Sequence, residues 1–255
     1  MIELIDDRTR LVAVSSASFA PGFRTRLQPL GAACKKAGAL LLVDGAQSVG
    51  ILETDVRRDG VDVLLASTQK GLLGLYGMGF TYIRRAVADA MQPAYLSRLG
   101  VELASEHEAT SSGFEDFRYA RGARRFDVGN YNYIAATAAD RSLQDILAVG
   151  PAVIEAQAVG RANDLRAGLK ALDIPVFESP DAYENAHIVA IGTALADEHD
   201  QASDARIVSL HESLKAAQVA HSIRRGVLRL SFHGYNDASD VQRTLDAARM
   251  WRANA

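Results

Sequence analysis

Three short apolar runs without polar alternation constrain the fold of this chain more than any other feature. They cover residues 11–14, 39–43 and 61–66, and a helical stretch at 28–37, which Gly38 can close, separates the first two. Strands that are apolar on both faces are typical of parallel sheets that crossover helices cover on both sides. The sequence therefore predicts an α/β fold with a mainly parallel sheet, in which each run is a strand buried on both faces.

The remainder of the chain predicts a second, smaller unit. A fourth strand is expected at 79–83, and residues 91–130 mix Gly, Ser, Arg and Glu as a long functional loop or an arm would. From 133 to 172 the pattern is helical except for a break at Gly150 and Pro151. The later elements are predicted as strands at 175–178, 187–191, 221–224 and 227–232, and as helices at 204–217 and 238–251, the last capped by Asp237. We expect a partial large domain at 1–145 and a small C-terminal α+β domain at 146–255.

Charge and cysteine content exclude several classes of function. The 28 basic and 31 acidic residues give a net charge of −3 without a basic block, so the sequence predicts neither a nucleic-acid nor a membrane partner. The single cysteine, Cys34, cannot form an intramolecular disulfide or a multi-thiolate metal site. No apolar run reaches the roughly 18 to 20 residues that span a bilayer, and acids stand where a signal peptide would be basic. A cytoplasmic protein without a metal site is predicted.

An acid and an amine follow two of the predicted strands. Asp44 comes directly after the run at 39–43, and Lys70 ends the polar group that follows 61–66. Ligands of parallel sheets bind at the carboxyl ends of the strands, so both side chains are expected in one crevice. Pyridoxal phosphate needs such a pair, a lysine for its Schiff base and an acid that keeps its pyridine nitrogen protonated. On spacing alone, a solvated lysine and a turn aspartate explain the pair equally well.

Three motifs around this pair resemble the class V aminotransferase and cysteine desulfurase family, a group of fold-type I pyridoxal-phosphate enzymes. Residues 43–50 read VDGAQSVG, residues 62–70 read DVLLASTQK, and residues 77–82 read GMGFTY. Their combination is specific. The resemblance implies the large domain of that fold followed by a small α+β domain, with pyridoxal 5'-phosphate as the cofactor.

The resemblance also implies a role for each matching residue of the cofactor site. Lys70 would form the Schiff base and then act as general base and acid. Asp44 would pair with the pyridine N–H, and Gln47 would contact the 3'-oxygen of the cofactor. Ser67 would hold the phosphate together with Gln69, which stands where many relatives carry histidine but keeps an amide donor.

Two further segments extend the resemblance toward the C-terminus. Residues 227–236, VLRLSFHGYN, resemble the strand whose arginine binds the substrate α-carboxylate, which assigns that role to Arg229. Residues 125–130, RFDVGN, resemble the segment that reaches the phosphate of the partner in a dimer, with Asn130 in place of threonine. Arg224 and Arg225 are expected at the surface, and His233 and Tyr235 are expected to be structural.

Departures from the family pattern bear on the reaction. Phe19 stands where desulfurases often carry asparagine, and Cys34 lies on a predicted helix, where it is expected to be a buried hydrophobic residue. Persulfide transfer is therefore disfavoured. Transamination, epimerisation and elimination of an α-amino acid all stay open.

The resemblance implies that this chain begins almost at the fourth strand of the family arrangement. An N-terminal portion with a phosphate-binding turn and a ring-stacking residue is expected to precede that strand in relatives. The sequence thus predicts a homodimer or an N-terminal partner chain, since uncovered sheet edges favour association. An inactive fragment or interaction subunit of a split enzyme is the alternative function.

Overall fold

A computed structural model of the chain describes residues 1–103, 117–197 and 199–254. These residues form two main sheets and six α-helices. The strands are β1 Leu11–Ser15, β2 Leu40–Asp44, β3 Val63–Ser67, β4 Gly79–Ile83, β5 Val101–Leu103, β6 Phe117–Tyr119, β7 Ile188–Ile191, β8 Ser222–Arg224 and β9 Val227–Ser231. The helices are α1 Leu27–Ala37, α2 Arg85–Ala90, α3 Tyr133–Val149, α4 Pro151–Ala171, α5 Ala205–Ala216 and α6 Ala238–Asn254.

The first sheet has the order β1-β2-β3-β4, as expected for a chain that alternates strands and crossovers. β1 pairs in parallel with β2 and β2 with β3, whereas β4 returns antiparallel to β3. The predicted α/β fold with a mainly parallel sheet is confirmed. Gly38 ends α1 in the left-handed conformation with φ +73°, which glycine adopts without strain.

The prediction that these strands are buried on both faces is wrong for the described residues. Along β2 and β3 burial alternates: Val43 and Leu64 are buried at 0% and 5% exposure, whereas Leu65 is 39% exposed. Val43 and Leu64 are register partners, and α1 packs its buried Leu30 against their face. No described residue covers the other face, so the apolar residues on it do not indicate burial on both sides.

The second sheet has the order β7-β9-β8 and is antiparallel throughout. Three helices, α4, α5 and α6, cover one of its faces and bury Leu165, Leu169, Leu210 and Leu214 to 1% exposure or less. The same core contains Ala17, Ile51 and Leu52 from the first half of the chain. The C-terminal unit therefore packs on the loops of the first sheet, and the proposed boundary between 145 and 146 stays a prediction.

Most predicted C-terminal elements are present, with one exception. Gly150 and Pro151 separate α3 from α4 as predicted, and Asp237 caps α6 by accepting a hydrogen bond from Ser239 N at 2.7 Å. The segment at 175–178 is not a strand, because it makes only an isolated bridge from Val176 to Ile191 at the edge of β7.

The predicted loop or arm at 91–130 is only partly described. It contains β5 and β6, which pair antiparallel, and two 3-10 turns, Arg98–Gly100 and Gly122–Phe126. Residues 104–116 of this segment lie outside the described residues.

Within the described part of the chain, no helix is long and apolar enough to cross a membrane. No group of three or more potential metal ligands occurs in this part either. A cytoplasmic location stays a prediction.

The one-sided burial of β3 can be tested with two neighbouring leucines. Leu64→Ala should lower the free energy of unfolding by about 2–4 kcal/mol, since it opens a cavity under α1. Leu65→Ala should lower it by less than about 1 kcal/mol, because that side chain faces solvent. Urea denaturation measures both, and equal losses for the two variants would show that the open face is covered in solution.

Candidate functional site

The loops that follow β2, β3 and β9 surround a cavity of about 530 Å³. Four of the seven predicted site residues line it, namely Gln47, Gln69, Lys70 and Arg229. Lys70 is exposed, and the other three are half-buried. Side chains from distant parts of the sequence complete the wall: Phe19, His187, Arg224, His233 and Tyr235. Two loops at strand ends and strand β9 thus bring an amine, two amides and a guanidinium to one space.

Two glycines hold the first two loops together. Gly71 lies against the backbone of Val49, so that a Cβ at 71 would stand 2.5 Å from the Val49 carbonyl oxygen. Gly50 has φ +92°, and its own Cβ would stand 2.3 Å from the Gly71 oxygen. Only residues without a side chain allow this backbone approach. The contact fixes Lys70, which immediately precedes Gly71, relative to the loop that carries Gln47.

A histidine from the third loop completes this junction. His233 is 6% exposed, and its Nε2 lies 2.8 Å from the carbonyl oxygen of Gly71, which accepts the hydrogen bond. Its ring stacks on Tyr235 with centroids 4.9 Å apart. The structural role expected for His233 and Tyr235 is consistent with these contacts, although both residues also line the cavity, which the sequence analysis did not anticipate.

The loop after Lys70 is shaped by a buried threonine. Thr68 is 1% exposed, and its hydroxyl lies 2.9 Å from the carbonyl oxygen of Leu75 and 3.0 Å from that of Met78. Gly74 N donates to the Thr68 carbonyl oxygen at 2.7 Å. These bonds close residues 68–78 into a compact loop and leave Gln69 and Lys70 on its cavity side.

Arg229 and Gln47 meet across the cavity. Arg229 Nη2 donates to Gln47 Oε1 at 2.9 Å, and Arg229 Nε is buried without a hydrogen-bond partner among the described residues. Burial lowers the pKa of the Arg229 guanidinium, and the nearby charge of Arg224 adds to the effect. A partly desolvated guanidinium with a free N–H is a site that favours an anion.

The structure places the other three predicted residues outside the cavity wall. Asp44 is exposed at the end of β2, where its Oδ1 accepts a hydrogen bond from Ala46 N at 2.9 Å. Ser67 ends β3, and its Oγ is buried without a partner in the described structure. Asn130 is exposed and lies apart from the cavity lining. Asp44 and Ser67 stay within a few residues of the wall, whereas Asn130 does not join this cavity.

Arg224 departs from its expected surface position. It lines the cavity with a side chain that is 33% exposed, and its Nη1 donates to Asp200 Oδ1 at 2.5 Å. Arg225 is exposed, as expected. The antiparallel pairing of β8 with β9 turns Arg224 toward Arg229, and local sequence does not reveal such pairing.

The sequence analysis missed His187. It lies directly before β7, is 1% exposed and lines the cavity. Burial lowers the pKa of its imidazole to about 3, with a further contribution from the charge of Arg229. A lone histidine before an apolar strand gives no recognisable signal, and only the fold brings it to the site.

Cys34 lies away from the cavity. It is 1% exposed on α1, and burial raises the pKa of its thiol, so it is the buried hydrophobic residue that the sequence predicts.

The glycine contact between the loops gives a test of the site's architecture. Gly71→Ala should lower the free energy of unfolding by about 1–3 kcal/mol, because the added Cβ forces the backbones of 49 and 71 apart. The matched control is Gly160→Ala on α4, where a Cβ meets nothing within 4 Å. That control should leave stability unchanged or raise it by up to about 1 kcal/mol. Urea unfolding measures the free energy of unfolding of both variants. A Gly71→Ala protein as stable as the unaltered one would contradict the close backbone approach of residues 49 and 71.

The chain is similar over most of its length to several known proteins. It is 30% identical over 242 residues to the uncharacterized aminotransferase YcbU of Bacillus subtilis, an alignment that covers 95% of this chain and 60% of YcbU. It is 29% identical over 237 residues to a probable cysteine desulfurase of Pyrococcus abyssi, covering 91% of this chain and 57% of that one.

A solved structure shares the fold. The apo cysteine desulfurase of Thermococcus onnurineus superposes with a TM-score of 0.77 at 24% identity, covering 96% of this chain and 60% of that one. This chain thus spans about 60% of the length of the proteins that it matches.

The family itself is settled by a match over residues 1–244 to aminotransferase class-V. The match includes all three motifs around Asp44 and Lys70, and it confirms the resemblance to a family of pyridoxal-phosphate enzymes. The chain belongs to the aminotransferase class-V family.

Proposed function

We propose that this chain acts as a pyridoxal-phosphate-dependent enzyme of class V aminotransferase type on an α-amino acid, with the cofactor bound covalently to Lys70. The observation that carries the proposal is the shared cavity of Lys70, Gln69, Gln47 and Arg229. These residues come from two loops and from strand β9, and they combine an amine with donors for two anionic groups. Such a gathering favours an enzyme over the alternative of an inactive interaction subunit.

The described residues fit the proposed cofactor. Ser67 Oγ is buried without a hydrogen-bond partner in the described structure, and a phosphate oxygen would satisfy it. The Asp44 carboxylate accepts only one hydrogen bond there, from its own loop, and so keeps lone pairs for a pyridine N–H. Gln47 would contact the 3'-oxygen, and Gln69 would assist Ser67 at the phosphate.

The reaction would divide among residues of this chain. When bound, pyridoxal phosphate supplies an electron sink for the negative charge that develops at the substrate α-carbon. Arg229 would orient the amino acid through its carboxylate, and Lys70 Nζ would remove and return the proton at the α-carbon. Asp44 would hold the proton on the ring nitrogen. The junction of Gly71 with His233 would keep Lys70 in position for these transfers.

The buried position of Cys34, the only cysteine, supports a reaction of aminotransferase type rather than persulfide transfer. A desulfurase of that kind needs a thiolate that can reach the substrate, and thiolates require exposure and a lowered pKa. Cys34 is buried on α1 with a raised pKa. This chain therefore offers no mobile nucleophilic thiol.

We extend the proposal to the quaternary state, a homodimer or a complex with an N-terminal partner chain. Asn130 is exposed outside the cavity of its own chain, which leaves its amide free to serve the phosphate site of a second copy in the proposed homodimer. Large side chains close to it in sequence are also at the surface: Val128, Tyr131, Tyr133 and Ile134 are 42–77% exposed. Burying them would stabilise an interface.

Cofactor attachment is the first test. Reconstitution with pyridoxal phosphate, borohydride reduction and peptide mapping should place the label on Lys70 and on none of the other four lysines. Lys70→Ala should abolish the visible absorption band and the label, whereas the control Lys36→Ala, on the exposed side of α1, should keep both. A labelled Lys70→Ala protein would overturn the assignment.

Substrate orientation by Arg229 is tested separately. Arg229→Gln should raise the Kd for the preferred amino acid by about 100-fold, since it removes a bidentate partner of the carboxylate. Arg225→Gln, four residues away and exposed, should leave the Kd within a factor of two. Spectral titration of the loaded protein with a panel of L-amino acids provides the measurement. Equal affinities for both variants would place the carboxylate elsewhere.

A further inference from the structure

His187 has unused hydrogen-bonding capacity inside the cavity. Its side chain is 1% exposed, yet its ring makes no hydrogen bond to any described residue, and Nδ1 is fully buried. Unpaired polar atoms at such depth are uncommon because each costs about 1–3 kcal/mol. The ring lies in the same wall as Arg229, whose Nε is also buried without a partner among the described residues.

A buried arginine fixes the backbone on both sides of this histidine. Arg166 on α4 is 3% exposed, and its Nη2 donates to the carbonyl oxygens of Ala186 at 2.7 Å and Ile188 at 2.6 Å. Its Nη1 donates to Asn163 Oδ1, and no carboxylate pairs with it in the described part of the chain. Burial lowers the pKa of Arg166 to about 10. A desolvated cation held by two carbonyls is a costly way to stabilise a strand, but it orients residue 187 rigidly.

The charge state of His187 follows from these surroundings. Burial lowers the pKa of the imidazole to about 3, and the charges of Arg229, His233, Arg166 and Arg24 act in the same direction. At neutral pH the ring is uncharged, with one N–H donor and one acceptor nitrogen. It can therefore donate a hydrogen bond beside Arg229 without adding a second positive charge to the site.

The charges of the residues that line the cavity indicate what kind of ligand group would bind next to His187. Among the described residues that line it, none is Asp or Glu, whereas Lys70, Arg224 and Arg229 are basic. A buried carboxylate has about four lone-pair sites to satisfy. A guanidinium gives a carboxylate two parallel hydrogen bonds, so Arg229 alone would leave about two of these lone-pair sites unfilled.

We propose that His187 donates a hydrogen bond to the carboxylate bound by Arg229 and is thus a second substrate-binding residue, which Arg166 positions. The inference rests on the proposed function, since the carboxylate it binds there is that of the α-amino acid. The pair selects ligands with a planar carboxylate, which would accept hydrogen bonds from one charged donor, Arg229, and one neutral donor, His187.

The test compares three histidine variants. On the chain loaded with pyridoxal phosphate, His187→Leu should weaken the binding of L-alanine by about tenfold or more, because a hydrogen bond to a charged group is lost. His187→Asn retains an N–H near the place of Nδ1 and should recover most of that affinity. His211→Asn removes a partly buried histidine that does not line the cavity and should bind as the unaltered protein does.

A second readout needs no cofactor. In protein labelled with 15N-histidine, propionate should shift the ring nitrogens of His187 and leave those of His211 unchanged, an effect that a purely structural histidine would not show. If His187→Leu fails to fold, this shift and His187→Asn decide the matter. An unchanged affinity of His187→Leu for L-alanine, or ring nitrogens of His187 whose 15N shifts do not change with propionate, would overturn the proposal.

The two proposals fail in different ways. If Lys70 is labelled by borohydride but His187→Leu binds L-alanine as the unaltered protein does, His187 has no such role and the proposed function stands. If Lys70 is never labelled, the proposed function is wrong, and the propionate shift still reports whether His187 and Arg229 form a carboxylate site.

Discussion

The site depends on the backbone contact between the loops that follow β2 and β3. Gly50 and Gly71 approach so closely that a Cβ at either position would overlap the opposite backbone. His233 adds a hydrogen bond to the carbonyl of Gly71, and so the second sheet attaches to the same point. Because Lys70 precedes Gly71 and Arg229 lies on the strand before His233, one junction sets the distance between amine and guanidinium.

Desolvated basic groups give this site its chemical character. Arg229 is partly buried, with an Nε–H that no described residue accepts, and Arg166 is buried behind the wall against two carbonyls. Burial lowers the pKa of His187, and the charges of both arginines lower it further, so the ring is neutral. Burying like charges together is unfavourable unless an anion compensates them. An anion bound in the cavity would therefore relieve this repulsion, and the wall offers it a charged donor, Arg229, and a neutral one, His187.

The sequence could predict those features that depend on neighbouring residues. The strand ends at Asp44 and Ser67, the cap at Gly38 and the break at Gly150 all follow from local chemistry, and the structure places them as expected. The prediction of burial on both faces was wrong because the sequence alone does not show whether an apolar residue such as Leu65 is on a covered or an exposed face of its strand. The segment at 175–178 failed as a strand because only one bridge holds it to β7. His187 and Arg224 join the site through pairings across the second sheet, which no local pattern encodes.

Asp44 lies on the face of the first sheet that no described element covers, so its surroundings depend on whatever binds to that face. Register places Ser15, Asp44, Leu65 and Thr81 in one row across the four strands, on the side that α1 does not reach. Asp44 therefore ends its strand on the uncovered side, next to a leucine that is 39% exposed. A carboxylate in water stabilises a protonated ring nitrogen weakly, since solvent screens the pair. If Asp44 acts as proposed, the surface that covers Leu65 must also exclude water from Asp44, so association and cofactor chemistry depend on the same face.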